Sequence, residues 1–184
     1  MMRAASTFLF ATCLLGCAGA VPPASPEAAP EQFLLDGRWT VQSSSLPMWQ
    51  EDGITCPTLV YLPAMTADHV DDFVLYRDEG EPAVIAGKDW QDPSDRRHVT
   101  WRGRGVLSLF SSDWYVRAKT DDWMIIYFEP TLVSPEGVDV LARGWSLGPG
   151  QWAAVEVAIA GDPVLEPFAG QLERLDRDGC EDDS

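Results

Sequence analysis

Histidine is nearly absent: the 184 residues contain two, His69 and His98. Neither stands at a spacing from carboxylates or cysteines that builds a catalytic metal site, so no metal is expected. Basic residues are also few, 13 against 29 acidic, for a net charge of −16. Nucleic-acid binding needs the opposite balance and is excluded as a function class. The excess acid reads as a solubility feature. No stretch after the first residues is apolar enough to cross a bilayer as a helix, which takes roughly 20 residues. No internal repeat is present, and no motif calls for a cofactor.

What is there begins at the N-terminus. Arg3 supplies one positive charge, and Ala4 to Gly16 is uncharged and mostly apolar. That is a secretory leader in pattern, too short to span a membrane. It ends Leu14-Leu15-Gly16-Cys17, which resembles the bacterial lipobox. The resemblance implies cleavage before Cys17 and attachment of fatty acyl chains such as palmitate to its thiol. The competing reading is an ordinary secretory leader cut near Ala18 to Ala20. Cys13 follows Thr12, a poorer cleavage position, and would leave with the leader. Residues 17–32 are rich in proline and alanine without hydrophobic periodicity, the composition of a tether. The expected organisation is a leader over 1–16, a tether over 17–32 and one folded domain over 33–184. The expected location is exported and membrane-anchored. Ala18 after the acylated cysteine points to the outer membrane or cell surface.

Cleavage leaves Cys17, Cys56 and Cys180. With lipid on Cys17, one pair remains in an oxidising compartment, and Cys56 is expected to bond to Cys180. The alternative is two free thiols. The bridge would close a loop worth about 4–5 kcal/mol of chain entropy.

Short apolar runs rich in β-formers fill the domain: Trp39–Val41, Leu59–Leu62, Phe73–Tyr76, Ala83–Ala86, Val106–Phe110, Trp114–Val116 and Trp123–Phe128. Turn chemistry separates them, as in Arg77-Asp78-Glu79-Gly80 and Asp92-Pro93-Ser94-Asp95. Strands at this spacing form a sandwich or a barrel. After Pro149 the pattern changes, and Gln151–Ala160 reads as a helix with Val155 and Ile159 on one face.

Gly144-Trp145-Ser146-Leu147-Gly148 matches the serine-hydrolase elbow pattern, but that motif needs a strand–turn–helix of an α/β sheet and a later histidine. Both histidines precede it, so it reads as a turn after a strand. Asp113, Asp121, Asp122 and Glu129 cluster around two strands, where two of them could act as acid and base. The plainer reading is solvated hairpin ends.

Phe33-Leu34-Leu35-Asp36-Gly37-Arg38-Trp39 resembles the opening Gly-x-Trp motif of lipocalins. Asp121-Asp122-Trp123 through Phe128 resembles their second motif, and Arg143 sits where their third motif has an arginine. The resemblance implies an all-β, eight-stranded antiparallel barrel with one C-terminal helix, its base closed by Arg143 across the face of Trp39. The pattern is most similar to the lipocalin domain of violaxanthin de-epoxidase, through Leu46-Pro47-Met48-Trp49 before Cys56, the paired strands around Trp114 and Trp123, and the tail Asp176–Cys180. That subfamily's catalytic aspartate is replaced by Gln50, with Glu51 and Asp52 following.

The implied function is non-covalent binding of a small hydrophobic ligand such as a fatty acid, lysophospholipid or isoprenoid. Tyr61, Trp101, Phe110, Tyr115 and Tyr127 are the candidate wall residues. Alternatives are acid-dependent chemistry on a lipophilic epoxide through Asp52 or Glu51, and a structural lipoprotein with a filled interior. An inward carboxylate would favour the former and a packed barrel the latter. Nothing in the sequence sets the oligomeric state.

Overall fold

The computed structural model describes residues 35–63 and 68–180. The leader, the tether and Cys17 lie outside them.

Eight antiparallel strands follow one another: β1 (Gly37–Ser44), β2 (Ile54–Pro63), β3 (Val70–Asp78), β4 (Glu81–Gln91), β5 (His98–Gly103), β6 (Ser111–Lys119), β7 (Trp123–Phe128) and β8 (Gly137–Ala142). Each pairs with the next, and β1 pairs with both β2 and β8, which closes the sheet into a barrel. Closure leaves none of the eight as a free edge. The helix α1 (Pro149–Gly161) follows, and a two-residue strand, β9 (Glu173–Arg174), adds to the end of β1. This is the barrel and helix expected from the sequence.

Local chemistry explains the turns. Asp78 pairs with Glu81 across a two-residue loop in which Glu79 and Gly80 both have positive φ, the geometry of a tight hairpin. Pro149 occupies the first turn of α1, where its missing N–H costs nothing, and the Gln151 side chain accepts the Gly148 N–H at 2.9 Å. Arg117 of β6 donates twice to Asp162 just past α1, both at 2.9 Å, and fixes the helix against the barrel.

Alternation along the strands produces two cores. Trp39, Tyr61, Val99, Trp114, Met124, Ile126 and Leu141 point into the barrel. Trp123, Ile125, Val138 and Val140 point outward and meet Val155 and Ile159 of α1. β7 is therefore apolar on both faces, and so is β8 apart from Asp139, which is why their sequences show little polar alternation.

Cys56 and Cys180 are bonded, with Cα atoms 5.4 Å apart and positions 124 apart in the sequence. Arg177 donates to the Pro57 carbonyl beside the bridge at 3.2 Å, so the tail is fastened to β2.

Two expectations for elements need correction. Val106–Phe110 is not a strand: Gly105–Leu109 forms a 3₁₀ turn. Gly105 has a φ of +57°, and Leu107 folds back into the space a side chain at Gly103 would fill. The strand in that region is β5, one element earlier, and β8 was missed as a strand.

Candidate functional site

Strand register defines the two ends of the barrel. Trp39 lies near the start of β1, and Arg143 places its guanidinium carbon 3.8 Å from the Trp39 ring centroid. Arg143 also donates to the Asp36 carbonyl at 2.7 Å and to its carboxylate at 2.5 Å. Lys119 stands 5.8 Å from the same ring. Gly37 is required here twice over: its φ is +63°, and Arg143 Nη1 lies 2.7 Å from where a Cβ would be. The two residues drawn from opposite ends of the domain meet and shut this end.

The opposite end is open. The β1–β2 loop with Trp49, the 3₁₀ turn ending at Leu109 and the 131–134 loop surround a cavity of about 460 Å³. Leu59, Val74, Ile85, Trp101, Trp114 and Phe128 give it apolar walls. Tyr61 and Trp114 stack with centroids 6.2 Å apart, and Trp114 and Phe128 meet at 6.3 Å. Met48, Leu109, Phe110, Leu132 and Val133 are exposed at the rim.

The walls are not wholly apolar. Asp72 and Asp139 also line the cavity, 4% and 1% exposed. Asp72 is paired with Tyr61 across β2 and β3, level with Gly37 at the start of β1. Asp139 is level with Ser44 at the end of β1, whose hydroxyl donates to it at 2.5 Å. Burial raises the Asp139 carboxyl to about pKa 7; the Ser44 hydroxyl and the Trp49 indole N–H, which faces it without closing a well-formed hydrogen bond, pull the other way. Burial likewise raises Asp72 to about 7 against the Trp101 indole. Trp101 reaches Asp72 by lying over Gly87, which is paired with Asp72 and whose missing side chain leaves the room. Asp89, fully buried behind them, is pushed up by burial and then by Asp72, while Trp114 donates to it at 3.1 Å. The Tyr61 hydroxyl is pushed up by burial and by all three carboxyls. A carboxyl held near neutrality can donate a hydrogen bond, accept one, or pair with a cation.

Of the expected wall residues, Tyr61, Trp101 and Phe110 line the cavity. Tyr115 and Tyr127 do not. Trp114, Ile126 and Phe128 take the inward positions of β6 and β7, so their sequence neighbours face out. Tyr115 stacks on His98 at 4.7 Å, and Tyr127 donates to Glu136 at 2.8 Å and packs on Phe168. Glu51 and Asp52 are exposed in the β1–β2 turn and do not line the cavity. Asp113 accepts from Thr100 at 2.6 Å on the outside of β5, and Asp121 and Asp122 are exposed. Ser146 of the hydrolase-like segment is exposed in the loop after β8. Asp72, Asp89, Asp139 and Trp114 are interior site residues beyond those expected from the sequence. Their signal was parity: each stands an even number of residues from an apolar residue that faces inward on the same strand, such as Val74 or Leu141.

No family model and no curated protein matches the sequence. Solved structures do match in shape. H1 crustacyanin from the lobster Homarus americanus is 13% identical with a TM-score of 0.58, covering 79% of this chain and 78% of that one. The possum milk whey lipocalin trichosurin, solved with bound 4-ethylphenol, is 12% identical at 0.54, covering 76% and 95%. The bovine lipocalin allergen Bos d 2 is 10% identical at 0.53, covering 75% and 89%. At such identities the likeness establishes the fold: this chain is a lipocalin-like barrel.

Proposed function

We propose that the protein is a membrane-tethered, lipocalin-like binder of one small, largely apolar ligand. The observation that carries this reading is the open cavity of about 460 Å³, of a size for one small molecule, walled by aliphatic and indole side chains. Its exposed apolar rim suits entry of such a molecule. The leader and the Leu-Leu-Gly-Cys segment support lipid on Cys17 and an outer-membrane or surface location. An unfilled interior speaks against a purely structural lipoprotein.

Ligand entry would place an apolar molecule beside Trp101 and Trp114, so tryptophan fluorescence reports binding. Titration with fatty acids, lysophospholipids and carotenoid-like isoprenoids should give saturable quenching by at least one class. No saturable response from any class defeats the proposal.

A second reading has a specific observation in its favour. Acid chemistry on a bound epoxide needs an inward carboxyl with a raised pKa, and Asp72 and Asp139 meet that requirement where Glu51 and Asp52 do not. Incubation with a lipophilic epoxide and ascorbate at acidic pH tests it. Product that disappears in Asp72→Asn would establish turnover, and its absence leaves binding alone.

A further inference from the structure

The deep end of the cavity holds more negative chemistry than an apolar ligand requires. Asp72 lines the cavity and its buried Oδ1 has no hydrogen-bond partner, and Asp89 Oδ2 behind it also has none. What acts on Asp72, Asp89 and Asp139 is burial, the indoles of Trp101, Trp114 and Trp49, the Ser44 hydroxyl, and the effect of Asp72 on Asp89. No lysine or arginine is among these influences. Neighbouring charges are turned elsewhere: Asp71 pairs with Arg104, and Glu129 sits exposed at the rim.

A buried carboxyl with no counter-charge either stays protonated or takes a cation from outside. Among the described residues no three histidine, cysteine or acidic side chains are placed to hold a metal ion. That leaves an organic cation. The aromatic faces complete the requirement, since Tyr61, Trp101 and Trp114 surround the Asp72 end, and an ammonium over such faces gains a cation–π contact. We infer that the cavity selects amphiphilic amines, with the ammonium against Asp72 beside Tyr61 and Trp101 and the apolar chain running toward the mouth. This rests on the apolar-ligand reading of the same cavity and narrows it to a ligand class.

The inference has a pH signature. Asp72 and Asp139 hold their protons to about pH 7, and burial also pushes Asp89 and Tyr61 above their ordinary values. Binding an ammonium to Asp72 therefore releases a proton below that pH. Affinity rises about tenfold per pH unit up to neutrality and then levels until the amine itself deprotonates.

Octylamine and 1-octanol share a chain and differ in charge. Titrated into the full-length protein at pH 8, octylamine is expected to bind at least tenfold tighter than 1-octanol. Between pH 8 and pH 5 its affinity should fall by about 100-fold, while that of 1-octanol holds. Asp72→Asn keeps the shape and removes the charge, so it should abolish the amine preference at pH 8 and retain octanol binding. If octanol binds as tightly as octylamine at pH 8, the inference is overturned and the apolar cavity reading stands. An amine preference that survives in Asp72→Asn also overturns it. If neither compound saturates, the inference is overturned, and the apolar-ligand reading stands or falls on its own titration. The wild-type pH comparison decides the matter even if the variant does not fold.

Discussion

Arg143 does three jobs within one side chain: it covers the Trp39 ring, binds the Asp36 carbonyl and pairs with the Asp36 carboxylate. Its stem and planar head pack as well as attract, so Arg143→Ala removes contact area along with charge. The expected loss is about 1–2 kcal/mol of unfolding free energy in urea titration. Arg143→Lys should recover only part of it, because an ammonium lacks the planar fork. Asp139 makes the opposite kind of contribution. Its carboxyl titrates at about 7 in the folded protein, above its unfolded value near 4. The folded state thus holds a proton that the unfolded state has lost between those values, and stability falls as pH rises through that window. Asp139→Asn cannot ionise. Near pH 4 the variant and the wild type should be close in stability. Above pH 7 the variant should be more stable by up to about 4 kcal/mol. Parallel urea melts at pH 4.5 and 7.5 measure the difference, and an unchanged gap would mean that water reaches the carboxyl and relieves its burial.

At the scale of elements, the tail matters beyond its length. From α1 it runs along the end of β1 as β9, and the bridge from Cys180 then fixes it at Cys56 of β2. Cys56 has a φ of +58° at a register shift in β2, an unusual backbone for a residue that is not glycine. Reducing the bridge, or replacing both cysteines with serine, should cost roughly 2–5 kcal/mol. Thermal melts with and without reductant give the value, and non-reducing peptide mapping should recover the linked peptides. The elements themselves were largely legible. Runs such as Trp123–Phe128 carry strand chemistry, and Arg77–Gly80 carries the hairpin turn that Glu79 and Gly80 form. Val106–Phe110 misled because its apolar residues serve an exposed rim, a demand that composition cannot separate from strand formation. The facing of side chains was harder to read. In β6 and β7 both parities carry large apolar or aromatic residues, because α1 covers part of the outer wall, so composition does not distinguish the outward Tyr115 and Tyr127 from the inward Trp114 and Ile126. Aspartates pass as solvent-facing by default, and Asp71-Asp72 shows why that default fails. One of the two meets Arg104, and its neighbour enters the barrel.

For the whole molecule, the closed base and open mouth give the barrel a direction. The described chain enters at Leu35, beside the base formed by Asp36, Trp39 and Arg143, and the cavity opens at the far end. If lipid on Cys17 is the sole anchor, Cys17→Ser should move the protein from the membrane to the soluble fraction, or leave its leader uncut. Ligand affinity should not change in the released protein. Detergent partitioning and intact mass check the first expectation, and fluorescence titration checks the second. Unchanged mass together with unchanged partitioning would remove the anchor.

The pair of cores on either side of one wall has a consequence for how such a protein diverges. Ile125 and Ile126 are adjacent, yet one packs under α1 and the other packs inside the barrel. Substitutions at the second kind of position reshape the interior, while the first kind continues to secure the wall from outside. The interior can then change without renegotiating architecture. A shape can be shared where the letters of the sequence are not, as the 10–13% identities to solved barrels of this fold illustrate.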